Sequence, residues 1–279
     1  MSWRIRVEHR TDYRYAGEVR SSYNEARISP MTTVDQLVLE AEVQVTPASR
    51  VYRYLDYWGS VVHAFNVNTR HREMTVVGRS VVETSPPPMV SHWAGWEAAG
   101  PHLEDDFAEY LAPTLRVPYD LALHEVASRL RETTAPAHAG NTIVAWVRSQ
   151  LDYMPGTTQV RTSALEAWAG GRGVCQDFAH LALGVARAMG IPARYCSGYL
   201  HPDPQAGIGV NTEGESHAWI ELWTGDWQGF DPTSGAPIGE RHVLVARGRD
   251  YTDVSPVKGV LNGAPTSHLD VRVNLTRLN

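Results

Sequence analysis

The chain has 279 residues, 43% of them hydrophobic and 20% charged, with a formal net charge of −6. That length allows two units with cores of their own, and a mildly acidic balance without blocks of like charge excludes the basic field of a nucleic-acid binder. No apolar run approaches the roughly 20 residues of a membrane span, and residues 1–6 lack a signal-peptide core. Two cysteines are too few for a disulfide scaffold or a multi-thiolate zinc site. The expectation is a cytoplasmic protein with no nucleic-acid or membrane partner; its oligomeric state stays open.

The first third reads as strands. Trp3, Ile5 and Val7 alternate with Arg4, Arg6 and Glu8, and Leu37, Leu39, Ala41, Val43 and Val45 alternate with polar neighbours and Val38, the period of a half-buried strand. Segments 51–57, 61–68 and 73–84 are rich in Val, Tyr and Thr, with a turn signal at 56–59. Residues 1–85 are therefore expected to form an antiparallel β unit that carries no catalytic group. Pro86, Pro87 and Pro88 end it, because proline removes a backbone donor and restricts its predecessor. Residues 86–118 read as a linker with at most a helical turn.

From residue 119 the period turns helical. Leu121, Val126 and Leu130 suit one helix, and Ile143, Val144, Val147 and Leu151 a second. The third is the clearest: Phe178, Leu181, Ala182, Val185, Ala186 and Met189 line one face, and Gly190 and Pro192 stop it. Strands resume at 192–200, 215–223 and 227–231, and Leu269, Val271, Val273 and Leu275 give a last one. Helices followed by strands predict an α+β unit over 119–279, with that final strand included.

Cys175 follows Gly170-Gly171-Arg172-Gly173-Val174 and opens the strongest helix. A thiol in a first turn faces unpaired backbone N–H groups and the positive end of the helix dipole, which favour a thiolate and suit an oxyanion. In the strand 215–223, His217 shares a face with Trp219 and Glu221. A three-residue turn at Thr224-Gly225-Asp226 would pair Trp223 with Trp227 and Trp219 with Asp231. Asp231 then lies one diagonal step from His217, where a carboxylate can orient an imidazole. Nucleophile, base and orienting acceptor are the parts that thiol catalysis needs. His180 stands five residues after Cys175, about 140° around the helix, and points elsewhere. Cys196, mid-strand, reads as structural, and Asp177 reads as an acidic first-turn residue complementing the dipole.

The runs Gly173-Val174-Cys175-Gln176-Asp177-Phe178, Ser216-His217-Ala218-Trp219 and Gly229-Phe230-Asp231-Pro232-Thr233 strongly resemble the bacterial transglutaminase-like family. The segment 22–27 is similar to the β-rich domain that precedes this core, and the tail around 248–260 to the family's C-terminal segment. The resemblance implies a papain-like core of helices packed on an antiparallel sheet, with Cys175 as nucleophile, His217 as acid/base and Asp231 as orienting carboxylate. It also points to Tyr153 as an oxyanion donor beside the Cys175 N–H, with Trp168 as rival. It implies a peptide, protein or small amide substrate and no metal or other cofactor. Hydrolysis is the expected reaction, with protein crosslinking or a non-catalytic binding module as alternatives.

Overall fold

In the computed structural model, which describes residues 2–279, the chain begins with a 24-residue strand, β1 (Trp3–Ala26). Four more follow: β2 (Gln36–Thr46), β3 (Val51–Leu55), β4 (Val61–Val67) and β5 (His71–Thr84). The first half of β1 pairs with β5 and its second half with β4, both antiparallel. One strand thus serves two sheet neighbourhoods, with Ile5 and Val7 buried in the first and Val19 and Ala26 in the second. β2 pairs with β5, but its register shifts between Val38 and Glu40. This bulge reverses the alternation read from the sequence. Gln36 and Val45 are buried, whereas Leu37 and Leu39 face solvent, because an extra residue turns a strand's faces over.

The segment after Pro88 is more than a linker. It contains α1 (His102–Leu111), a ten-residue helix kinked at Phe107. Local sequence gives that helix little support. The Phe107 ring instead lies 5.0 Å from that of Trp223 and 5.7 Å from that of Trp227, so contact with the later core decides the conformation.

The helical layer consists of α2 (Leu121–Thr133), α3 (Ala139–Gln150), α4 (Ala164–Gly170) and α5 (Cys175–Ala188). Two short strands, β6 (Asp152–Tyr153) and β7 (Arg172–Gly173), pair in parallel between them. The second sheet is antiparallel in the order β11-β10-β8-β12, from β8 (Ala193–Leu200), β10 (Ser216–Trp223), β11 (Trp227–Phe230) and β12 (His242–Gly248). α5 supplies Phe178, Leu181, Val185 and Ala186 to the main apolar cluster, and this sheet supplies Tyr195, Ile220, Leu222 and Val243. Each such side chain contributes about 1.5–3 kcal/mol by leaving water.

The chain's last strands join the first sheet. β9 (Asn211–Gly214) pairs with β14 (Thr266–Arg277), and β14 and β13 (Val257–Gly263) both pair with β1; the short α6 (Tyr251–Val254) precedes them. The strand expected within the core sheet is therefore hydrogen-bonded to the first strand of the chain. Alternation in 269–275 is equally compatible with either partner. Ile5, Val7 and Leu275 enter the same apolar cluster as α5, so the two sheets share a core. The outcome is an α+β fold of helices and antiparallel sheets with a β-rich N-terminal region.

Candidate active site

Cys175 is the first residue of α5, with Val174 in extended conformation as its N-cap. The turn before it is built around Asp177, which is fully buried. One oxygen of this carboxylate accepts the Val174 N–H at 2.8 Å and the Thr158 hydroxyl at 2.6 Å. Gly173 permits this, since a Cβ there would lie 2.6 Å from Cβ of Asp177. Asp177 thus does more than complement the dipole: it fixes the loop that presents Cys175. Burial pushes its carboxyl upward, against the two hydrogen bonds.

The hairpin has the register expected from its turn, with Trp223 opposite Trp227 and Ile220 opposite Phe230. One residue further, Asp231 leaves the strand and its Oδ2 lies 2.9 Å from Nε2 of His217. Cys175 neighbours the same ring and favours its protonated form. Burial pulls the imidazole down, but hydrogen bonds with Asp231 and Cys175 and the charges of both outweigh it. His217 is held at about 9. Asp231 is 1% exposed. Burial raises its carboxyl, while the two nearby imidazoles and Ser234 bring it well below the usual carboxylate range. The electrostatic outcome is an imidazole that keeps its proton at neutral pH, held between the Asp231 carboxylate and Cys175.

Three features of the site were not read from the sequence. Ser234 donates its hydroxyl to Asp231 Oδ2 at 2.6 Å, and the Thr233 and Ser234 N–H groups bond Oδ1 at 2.9 and 3.2 Å. The Asp-Pro-Thr-Ser order is the visible signal, because Asp commonly bonds backbone two residues on. His242, at the start of β12, stands 3.7 Å from Asp231 Oδ2. No local pattern could have found it, since it arrives by pairing through β8. His217, Asp231 and His242 bring ligand atoms within 4.8 Å of one another, but the donor set suits a metal poorly. Nδ1 of His242 accepts the Gly239 N–H, whereas a metal-bound imidazole carries a proton on its other nitrogen and donates it.

The remaining sequence candidates separate clearly. Tyr153 sits in β6, whose partner β7 leads directly into Cys175. The backbone N–H of Met154 bonds the Gly173 carbonyl at 2.9 Å. Its phenol is half-exposed and raised by burial and by the neighbouring Cys175. The rival Trp168 gives its indole N–H to Gln150 at 3.1 Å, so that donor is engaged elsewhere. His180 is fully buried and accepts the Tyr251 N–H at 3.2 Å, and burial lowers it to about 3. Cys196 is fully buried beside Trp219 and Leu244. Asp231 and Phe230 also border a cavity of about 860 Å³ lined in addition by residues 32–35 of the β-rich region and 87–90.

A helix-start cysteine apposed to a strand histidine, over a sheet packed on helices, defines the transglutaminase-like core of papain-like proteins. The comparisons agree. Residues 124–232 match the model of the transglutaminase-like superfamily, and residues 5–83 that of the bacterial transglutaminase-like N-terminal region. An uncharacterised protein of Mycobacterium leprae is 48% identical over 99% of both chains. One from Mycobacterium tuberculosis is 33% identical, covering 98% of this chain and 92% of its own. The crystal structure of a candidate cysteine protease from Cytophaga hutchinsonii superposes with a TM-score of 0.77 at 20% identity, covering 99% of this chain and 98% of that one. This chain belongs to the transglutaminase-like superfamily.

Proposed function

We propose that the protein is a cysteine hydrolase that cleaves an amide or ester bond of a peptide, protein or small amide through an acyl-enzyme. The observation that carries this reading is His217 bonded at 2.9 Å to the buried Asp231, whose carboxyl is held well below its usual range, with helix-start Cys175 as the imidazole's other neighbour. In the reaction the Cys175 thiolate attacks the carbonyl carbon and forms a tetrahedral oxyanion. The Cys175 N–H at the start of α5 and the Tyr153 hydroxyl are the donors for that charge. Collapse breaks the bond to the leaving group, which takes the His217 proton. Neutral His217 then draws a proton from water as its oxygen attacks the thioester carbon; collapse breaks the C–S bond, releases the acid product, and returns Cys175 as thiolate and His217 as imidazolium.

Water is the simplest acceptor, because it requires no second binding site. A crosslinking enzyme would use an amine at the same step, and a binding module would use none. Among the described residues no helix is long and apolar enough to cross a membrane; a cytoplasmic site of action is a separate part of the proposal. A library of peptide, amide and ester substrates, compared between the wild type and Cys175→Ala, tests the proposal. Turnover by the wild type alone, without added amine, is the expected result. Equal turnover by both would refute it, and product formation only with an amine present would identify a transferase.

A further inference from the structure

Asp231 faces two histidines. His242 is buried at the start of β12, with its ring edge-on to Trp219 at 5.5 Å. Trp219 has room to lie there because Gly198, opposite His217 in β8, carries no side chain; a Cβ would be 2.6 Å from the indole. The His242 Nδ1 accepts the Gly239 N–H at 3.3 Å. A neutral ring in that position carries its proton on Nε2, the nitrogen that stands 3.7 Å from Asp231 Oδ2. This is the oxygen that His217 and Ser234 also engage.

We propose that His242 is a positioning residue of the active site: its buried Nε2–H, 3.7 Å from Asp231 Oδ2 and without a hydrogen-bond partner, acts on that carboxylate as a nearby dipole and limits how tightly Asp231 holds the His217 proton. This rests on the cysteine-hydrolase reading above. The need for such a partner follows from the chemistry. An imidazolium at about 9 secures the resting thiolate but releases its proton reluctantly to a leaving group at neutral pH. An N–H dipole 3.7 Å from the same oxygen stabilises the carboxylate's charge without a proton from His217 and eases that release. His242 keeps its own proton throughout. Burial, His217 and Arg241 all disfavour a charge on it, and together they outweigh Asp231.

The test is the pH profile of Cys175 alkylation by iodoacetamide in the full chain, with Cys175→Ala as blank. Its upper inflection marks loss of the His217 proton. His242→Phe keeps the ring's shape against Trp219 but removes the donor, and should move that inflection upward by roughly half a unit or more. His242→Gln, which returns an N–H near the same place, should bring it back. An inflection unmoved or lowered in His242→Phe overturns the inference and leaves His242 a packing residue, whatever the loss of thermal stability. A wild type whose Cys175 alkylates without any such inflection overturns the underlying thiolate–imidazolium reading and the inference with it. Nitrogen-15 NMR of wild-type histidines supplies an independent check that needs no variant. His242 should be the neutral Nε2–H tautomer at neutral pH, and an Nδ1–H tautomer or a charged ring overturns the proposal.

Discussion

Changing Asp231 to Asn keeps the shape of the side chain while removing its charge. The two backbone N–H groups of Thr233 and Ser234 hold one oxygen, so the amide oxygen takes that place and the amide NH2 faces His217. The His217 Nε2 must then accept, its proton moves to Nδ1, and the imidazolium loses its carboxylate. His217 lies at about 9 against an ordinary 6.5, a rise that corresponds to about 3 kcal/mol. Asp231 supplies the largest favourable part of it, against a burial penalty that remains. The His217 titration should therefore fall sharply in the variant, and little imidazolium should survive at neutral pH. Turnover is expected to drop roughly 10- to 1000-fold, less than the four orders of magnitude seen when a serine protease triad loses the same charge, because the thiol is intrinsically the more acidic nucleophile. His217→Ala should cost more, since it removes the proton donor as well. Turnover on a substrate from the library screen, with thermal melts matched between variants, makes the comparison. Full activity in Asp231→Asn, or a milder loss in His217→Ala, would refute the reasoning.

The same pair predicts a pH dependence of stability. The folded-state value of His217 lies above its ordinary 6.5, so the pair's contribution is complete below about pH 6.5 and is lost as pH rises through about 9; urea melts across this range should lose that component in Asp231→Asn. Limited iodoacetamide labelling at pH 6 should modify Cys175 and spare Cys196, which is fully buried and whose thiol burial and Glu221 push well above its usual range; preferential labelling of Cys196 would contradict the assignment. Gly173→Ala should push Asp177 off Val174 and destabilise the protein by about 1–3 kcal/mol, with a matching fall in Cys175 reactivity, read by denaturant unfolding and alkylation rate. Tyr153→Phe should lower kcat with little change in KM, whereas Trp168→Phe should leave kcat unchanged; the reverse order would transfer the oxyanion role.

Local sequence signals went furthest where a single element carried the information. α5 was legible because its apolar spacing is regular and Gly190 and Pro192 stop it. The β10–β11 hairpin was legible because a Gly-Asp turn fixes register, and register alone brought Asp231 to His217. The reading failed where tertiary pairing decides. The Asp12–Glu18 stretch of β1 gives no clear strand signal, yet β5 and β14 both pair with Asp12, Tyr13 and Arg14 and carry the strand through them. The bulge in β2 exchanged its faces without any proline or glycine to announce it. α1 depends on Phe107 meeting tryptophans more than a hundred residues away. His242 is one of 12 histidines and is distinguished only by the strand order of the second sheet.

The most direct test of the central claim is the trapping of the acyl group itself. The full-length protein is incubated briefly with p-nitrophenyl acetate at neutral pH, quenched in acid, and examined by intact mass and peptide mapping. The account predicts one added acetyl group, carried as a thioester on the peptide containing Cys175 and absent from Cys175→Ala. It should decay with time in the wild type and persist in His217→Ala wherever that variant acylates at all. An acetyl group located on any other residue, or no difference between the wild type and Cys175→Ala, would contradict the assignment of Cys175 as the nucleophile.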